Sequence, residues 1–428
     1  MKESLDDWLS WQETLHTTEI DLGLERIRQV ASKLDCLTPS FPIITVAGTN
    51  GKGSSVALLE SILIAQGYKT GSYTSPHLLV YNERIKLNAL HASDKQIINA
   101  FEKIDKARGD ISLSYFEFGT LAAVLIFSEQ NVDVAILEVG LGGRLDAANL
   151  WDASLALITS IAIDHENWLG NDRETIAKEK SGIMRTDTPV ISGDLNPPKS
   201  IKTEAKRIGA SLFQINKDFS FKSIDTNYWQ WSWPANDKNS NYTLPHSALN
   251  GEYQLNNAAT VIAGLQAIQQ LLPVSLDAIK QGLESVSIIG RLELLSQSPD
   301  WLIDVAHNPH SAKALSKYLI QHPTSGKTYA LFSMLKDKDI KEVLATMNQH
   351  IDEWHIFELE GSRGISLSAL KQLMKKAPVT GDIISHDKCS KAIKKLKKHI
   401  KNKDKVVAFG SFLVISQVIE YWESKSNT

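Results

Sequence analysis

The sequence predicts an α/β protein of two domains, each built on a mainly parallel sheet, with a small antiparallel sheet attached to the first. Three observations predict it. Apolar, β-branched runs alternate with segments of helical periodicity, the pattern of a parallel sheet covered on both faces. The first run, Ile43-Ile44-Thr45-Val46-Ala47, feeds a glycine-rich turn, Gly48-Thr49-Asn50-Gly51-Lys52-Gly53-Ser54, and a helical pattern follows. Around Val286 to Gly290 a second alternating series begins. The expected domains are therefore 1–288 and 289–428, the second of them Rossmann-like.

The glycine-rich turn is how a chain builds a phosphate cradle. Glycines let backbone N–H groups converge, the helix that follows offers its positive end, and Lys52 adds a point charge. In the common phosphate loop Ser or Thr follows the Lys directly. Here Gly53 intervenes, so the hydroxyl comes from Ser54 or from elsewhere. A glycine-rich strand-to-helix turn with a surface lysine is the plainer reading. The order of strand, Gly-Lys and helix favours a P-loop-containing ATPase domain.

The chain has 428 residues, 43% hydrophobic and 22% charged, enough for real cores in two or three domains. A formal net charge of −3 leaves no global nucleic-acid footprint. The two cysteines, Cys36 and Cys389, belong to no metal-type cluster and suit a reduced setting. The N-terminus carries Glu3, Asp6 and Asp7 without an apolar h-region, and no run is long enough to span a bilayer. A soluble, cytoplasmic protein is expected.

Residues 1 to 40 read as helical, with Trp8, Leu9, Trp11, Leu15 and then Leu24, Ile27, Val30, Ala31, Leu34 at helix spacing. After the loop, Val56, Leu59, Ile62 and Leu63 give a helix face, and Gly67 stands where a C-cap belongs. Further strands are expected at Lys69–Thr74, Val132–Val139, Leu155–Ile163 and Pro189–Ser192, with helices near 94–107, 115–129 and 255–272. Between 213 and 246, Phe219, Phe221, Trp229, Trp231 and Trp233 alternate, which indicates one buried face of an antiparallel sheet rather than a stacking platform. In the second domain, strands are expected at Trp301–Asp304, Thr328–Phe332, Glu353–Phe357 and Lys405–Phe409. The basic run Lys391 to Lys405 reads as a solvated helix face; attraction of an acidic substrate tail is the second reading.

In an open parallel sheet, ligands bind beyond the carboxyl ends of the strands. Four polar features of the first domain fall there: the Gly48–Ser54 loop, Ser75, Glu138 and His165. Singly, Ser75 could be a turn former, Glu138 a solvated strand end and His165 a loop histidine. Together, around one phosphate loop, they favour a shared site. ATP on such a loop needs Mg²⁺, which wants oxygen ligands.

The segments GTNGKGS (48–54), TSPHL (74–78), EVGLGGRLDAAN (138–149), DHENWLG (164–170), KEKSGI (178–183), GRLELL (290–295) and DVAHNP (304–309) occur in one order. As a set they resemble the folylpolyglutamate synthase/dihydrofolate synthase family of the Mur ligase superfamily, from about Trp8 to about Val418. The resemblance implies a Mur-ligase-like ATP-binding domain over 1–288 and a ligase domain over 289–428. It implies that Thr49, Asn50, Gly51, Lys52, Gly53 and Ser54 hold the ATP phosphates. Arg291 and Asp304 complete the nucleotide site with Asn257, and His307 lies beside it. Ser75, Glu138 and His165 are implied as ligands of Mg²⁺. Lys180 matches a lysine carbamylated in the family, where an ammonium becomes an anionic oxygen ligand for a second ion; unmodified, it reads as a helix-surface cation. Lys52, Lys180 and His307 are the implied catalytic residues. The pterin-carrying substrate is placed near Glu19, Ile20, Asp21, Leu22, Ser114, Tyr115, Phe116 and Leu145. Two departures, Ala148 for a common Thr and Trp168 for a common Phe or Tyr, touch no proposed ligand.

The implied reaction joins a carboxylate to the amine of L-glutamate through an acyl phosphate made with ATP. The implied partners are small molecules: dihydropteroate, folates, L-glutamate and ATP. No nucleic acid or membrane partner is expected, and the state expected is a monomer. The matches at Ile20–Arg26 and Tyr115–Thr120 favour members with both activities over a polyglutamate synthase alone. A Mur-type cell-wall ligase normally carries a further domain before the loop, and only 47 residues precede Gly48. A P-loop kinase or nucleotide switch would lack the second domain with DVAHNP.

Overall fold

A computed structural model describes residues 2–16, 21–234, 240–361, 363–377 and 379–426. The chain divides into two compact units, one of Met1–Ala248 with Gln254–Ser287, the other of Leu249–Tyr253 with Ile288–Thr428.

In the first unit the strands are β1 (Ile43–Ala47), β2 (Thr70–Tyr73), β3 (Ile85–Leu87), β4 (Leu90–His91), β5 (Val134–Glu138), β6 (Leu155–Ile158), β7 (Pro189–Ser192) and β8 (Ser211–Gln214). They form one sheet in the order β4-β3-β2-β5-β1-β6-β7-β8. All pairings from β2 to β8 are parallel, and β3 and β4 add an antiparallel edge. The central strands β1 and β5 are buried along their whole length, as a sheet covered on both faces requires. Trp8, Phe101 and Phe118 pack into one apolar core of this unit, with Trp8 and Phe101 ring centroids 5.9 Å apart. Three further strands, β9 (Ser220–Ser223), β10 (Tyr228–Trp233) and β11 (Ser240–Pro245), form an antiparallel sheet. Trp229, Trp231 and Trp233 are buried on one face while Tyr228 and Gln230 are exposed, so the alternation marks a packed face as expected.

The second unit has β12 (Glu293–Ser296), β13 (Asp300–Ile303), β14 (Thr328–Phe332), β15 (Glu353–Phe357), β16 (Asp382–His386) and β17 (Lys405–Phe409). Their order is β12-β13-β17-β14-β15-β16, parallel except for the β12–β13 hairpin.

Several elements differ from the sequence expectation. The strand expected over Leu155–Ile163 ends at Ile158, and the side chains of Thr159 and Ser160 that follow bond the phosphate loop. Phe213 lies in β8, an edge of the large parallel sheet, and not in the small antiparallel one. The helix expected to 272 ends at Ala267. The basic helix ends at His399, and Lys405 is a buried residue of β17. The sequence also suggests a turn at Asn236–Asn241; residues 236–239 lie outside the described residues, and Ser240 and Asn241 belong to β11.

The phosphate-loop helix Lys52–Gln66 ends at Gly67 in the left-handed conformation, as expected of a C-cap. Its flank rests on the helix Leu276–Ser285, where Gly282 permits a close approach. A Cβ there would lie 2.5 Å from Ile62 Cα and 2.7 Å from Ile62 N, and Ser61 Oγ donates to the Gly282 carbonyl at 2.9 Å. Gly282→Ala is expected to lower the unfolding free energy of the protein by about 1–3 kcal/mol, measured by denaturant titration, because backbone atoms must give way.

Candidate active site

The phosphate loop leaves β1 and turns at Gly48 (φ +148°) and Gly51 (φ +94°). Both positions need glycine for space as well as for φ. A Cβ on Gly48 would collide with Thr159 Oγ1, and one on Gly51 would lie 2.6 Å from Asn257 Oδ1. The loop is held by the segment that follows β6. Thr49 N donates to Ser160 O at 2.7 Å, and Thr49 Oγ1 donates to Ala162 O and accepts from Ala162 N, both at 3.0 Å. Thr159 Oγ1 and Ser160 Oγ both donate to Asn50 O, at 2.8 and 3.0 Å. Ser55 N makes an intrahelical bond to Gly51 O, so the amides of Lys52, Gly53 and Ser54 precede the helical ladder and suit an anion.

Three charged groups gather at this loop. Lys52 Nζ donates to Gly48 O (3.2 Å) and Thr49 O (3.3 Å) and lies 3.9 Å from Glu138 Oε1. Glu138, the last residue of β5, is only 4% exposed, and its Oε2 accepts the Ser75 N–H at 3.3 Å. Lys180, at the end of the helix Arg173–Lys180, is 5% exposed and donates to Gly48 O at 2.9 Å. Burial, and then the neighbouring charge of Lys52, lower its ammonium from 10.5 to about 7, against the pull of Asp164 and Asp146. Burial likewise raises the Asp146 carboxyl to about 7, although N–H groups of Leu141 and Ala148 bond it at 2.8 and 2.9 Å. His165 follows the segment bound to Thr49, in the left-handed conformation (φ +54°).

Asn257 joins the loop through Gln254. Asn257 Nδ2 donates to Gln254 Oε1 at 2.9 Å, and Gln254 Nε2 donates to Ser54 Oγ at 3.2 Å. Ser54 thus accepts from the protein and keeps its own proton for an acceptor such as a phosphate oxygen.

The residues expected around a pterin form a second group in the same unit. Asp21 is held by Arg26, which donates to Asp21 Oδ2 at 2.6 Å and reaches the Glu117 carboxylate at 3.3 Å. His16 bonds Asp21 Oδ2 at 3.0 Å, and Gly23 N donates to Leu145 O at 3.2 Å. Leu22 is part-buried in the same stretch. Ser114 caps the helix Tyr115–Glu129 in a capping box with Glu117. The Phe116 ring lies over Gly140, where a Cβ would come within 2.7 Å of it. The Arg84 guanidinium lies over Tyr115, 5.2 Å from its centroid. Glu19 and Ile20 fall outside the described residues.

In the second unit, Asp304 follows β13 and is buried. It accepts Leu292 N at 2.9 Å and Ala306 N at 2.8 Å. Burial raises its pKa, while Arg291, those two amides and His307 oppose the rise. His307 Nδ1 faces the Val305 carbonyl at 2.8 Å. A carbonyl only accepts, so Nδ1 is the donor of this bond. Arg291 stacks 5.2 Å over Phe412.

Thr159, Ser160, Gln254, Arg26 and Arg84 were not singled out as site residues by sequence. Thr159-Ser160 directly after an apolar strand was the available signal. Among the described residues no three carboxylate, imidazole or thiol groups make a metal cluster on their own. No described helix is long and apolar enough to cross a membrane.

A phosphate loop on a parallel sheet, followed by an α/β unit with a buried Asp-Val-Ala-His-Asn turn, is the arrangement of a Mur-type ligase. Two family models agree: the Mur ligase middle domain matches residues 46–265, and the Mur ligase glutamate ligase domain matches residues 290–412. The dihydrofolate synthase/folylpolyglutamate synthase of Escherichia coli K12 is 41% identical over 421 residues, covering 98% of this chain and 96% of that protein. The structure of Escherichia coli FolC in complex with DHPP and ADP superposes with a TM-score of 0.93 at 41% identity, covering 99% of both chains. The bifunctional synthase of Yersinia pestis, complexed with AMPPNP and Mn, gives a TM-score of 0.90 at 41% identity over 98% of both chains. The chain belongs to the dihydrofolate synthase/folylpolyglutamate synthase family and is a ligase of glutamate.

Gly48→Ala is expected to cut ligase turnover roughly 100-fold in a steady-state assay, because the loop must move away from Thr159 by a distance that misaligns the phosphates.

Proposed function

We propose that the protein adds L-glutamate to dihydropteroate and to tetrahydrofolates, with ATP as co-substrate. The observation that carries this reading is the convergence of Lys52, Lys180 and Glu138 on a phosphate loop whose amides precede the helical ladder. A carboxylate is a poor acyl donor because oxide would have to leave. Attack of the carboxylate on the γ-phosphorus of ATP gives an acyl phosphate and ADP. The glutamate amine then attacks that carbonyl, phosphate leaves, and the amine proton passes to a base.

The chain's own groups do the positioning and charge neutralisation. The amides of residues 50–54 and the Ser54 hydroxyl take phosphate oxygens, and Lys52 leaves its loop carbonyls for the transferring phosphoryl. Asn257 keeps its nucleotide role, as do Arg291 and Asp304. His307 receives the amine proton. Asp21, Leu22, Ser114, Tyr115, Phe116 and Leu145 keep the pterin role, together with Glu19 and Ile20.

Ser75, Glu138 and His165 offer a hydroxyl, a buried carboxylate and an imidazole, a donor set that fits Mg²⁺ or Mn²⁺ completed by substrate phosphates. Two Mg²⁺ ions there would shield the phosphate charge. Lys180 would supply a further oxygen ligand once carbamylated: its neutral amine adds to CO₂ and releases one proton. The depressed ammonium suits this step, since the neutral amine exists above about pH 7. We place the enzyme in the cytoplasm as a monomer; its two cysteines are free and buried.

ADP release that requires both a pteroate and glutamate is expected in a coupled assay. ATP turnover indifferent to glutamate would point to a kinase or switch. Offering dihydropteroate and tetrahydrofolate separately, with product analysis, tests for both activities. A second expectation concerns pH. The unfolded lysine binds a proton up to 10.5 and the folded one only below about 7. Stability of the CO₂-free protein should therefore rise with pH between those values, and Lys180→Met should flatten that slope in thermal melts.

A further inference from the structure

Arg26 lies in the first turn of the helix Glu25–Lys33 and bonds the stretch that leads into it. Its Nη1 donates to Asp21 Oδ2 at 2.6 Å, and its Nη2 donates to the Asp21 carbonyl at 2.9 Å. Nη2 also reaches both oxygens of Glu117, at 3.3 Å each. Glu117 is buried and accepts the Ser114 N–H at 2.8 Å, so the carboxylate that takes Arg26 also closes the cap of the helix Tyr115–Glu129. The guanidinium is thereby braced on a helix cap while it grips Asp21.

The two oxygens of Asp21 are used unequally. Oδ2 accepts from Arg26 and, at 3.0 Å, from His16 Nε2, since an ionised carboxylate only accepts. Oδ1 accepts no hydrogen bond from a described residue, and the side chain is 39% exposed. The protein therefore fills one oxygen and leaves the other to a donor from outside. Two further bonds hold this stretch, and neither repeats what Arg26 does. His16 takes the same Oδ2, and the Gly23 N–H, two residues on, donates to Leu145 O. Among the described residues Arg26 alone bonds both the carboxylate and the carbonyl of Asp21. The neighbours of these anchors are residues given to the pterin: Leu22 follows Asp21, and Tyr115 and Phe116 lie between Ser114 and Glu117. One guanidinium serves two carboxylates, so the group keeps an excess of acceptors. A pterin ring presents a ring N–H and an exocyclic amine side by side, the donors that an open carboxylate oxygen takes.

We propose that Arg26 is a positioning residue for the pterin-carrying substrate: braced by Glu117, it locks the Asp21 carboxylate so that Oδ1 is the acceptor for the pterin N–H donors. The inference rests on the placement of the pterin made above. Arg26 acts through Asp21, to which it gives both of its Nη groups.

The test is equilibrium binding of dihydropteroate to the full-length protein in the presence of ADP and Mg²⁺, beside the ADP affinity of the same variants. Arg26→Gln should weaken dihydropteroate roughly tenfold, the scale of one lost hydrogen bond to a charged group, while ADP affinity stays within about twofold of wild type. Asp21→Asn changes a part-exposed group and should weaken dihydropteroate at least as much. The double variant should be no weaker than Asp21→Asn alone, because Arg26 acts through that carboxylate. Arg26→Lys keeps a charge beside buried Glu117 and serves should Arg26→Gln fold poorly; it too should weaken dihydropteroate selectively, because an ammonium lacks the planar fork. Unchanged dihydropteroate affinity in the Arg26 variants would overturn the inference. So would a loss matched by an equal loss of ADP affinity, or additive losses in the double variant. Tyr115→Ala separates the two levels. Full retention of dihydropteroate binding in both Tyr115→Ala and Asp21→Asn would overturn the pterin placement and the inference with it. Loss in Tyr115→Ala with normal binding in Asp21→Asn would overturn the inference alone.

Discussion

Two lysine side chains share one backbone carbonyl, that of Gly48, and much of the first unit is arranged around that contact. Lys52 reaches it from within the loop and Lys180 from a separate helix. Two ammonium groups at one carbonyl are mutually unfavourable, and burial adds to the cost for Lys180. The protein meets this with anions at the margins. Glu138 faces Lys52, and Asp146 and Asp164 offset the depression of Lys180. A site so poised accepts negative charge readily, whether from a triphosphate or from a modified lysine. Gly48 must be glycine because the loop passes directly against Thr159.

The scaffold serves this contact through non-local bonds. β1 lies between β5 and β6, so the end of β1 has Glu138 on one side and Thr159 on the other. Neighbouring parallel strands thereby place loop, carboxylate and hydroxyls at one edge of the sheet, the position where open α/β sheets bind ligands. Gln254 adds a third side, tying Ser54 to Asn257. Gly53 moves Ser54 one place beyond the usual loop serine, where its hydroxyl accepts from Gln254, and the Ser75 amide rests on Glu138 at the neighbouring strand end.

Much of this was legible in the sequence, for particular reasons. The phosphate loop was, because only glycines fit its conformation and its order of strand, Gly-Lys and helix is local. The tryptophan face of β10 was, because period two is a local signal. Strands β3 and β4 were not: they are three and two residues long. Strands β8 and β16 are sheet edges with part-exposed residues, which blurs their pattern. Thr159 and Ser160 read as the end of a strand, since their bonds to the loop depend on β6 lying beside β1. Lys180 was the deepest case. Arg-Glu-Thr-Ile-Ala-Lys-Glu-Lys reads as a charged surface helix, and only the fold buries its last residue.

The direct measurement of the central contact is carbon-13 NMR of the full-length protein equilibrated with labelled CO₂, ADP and Mg²⁺. A carbamate resonance that grows as pH rises through about 7 and is missing from Lys180→Met is the expected result. A spectrum without that resonance, or with one that survives Lys180→Met, would contradict the role given to this lysine.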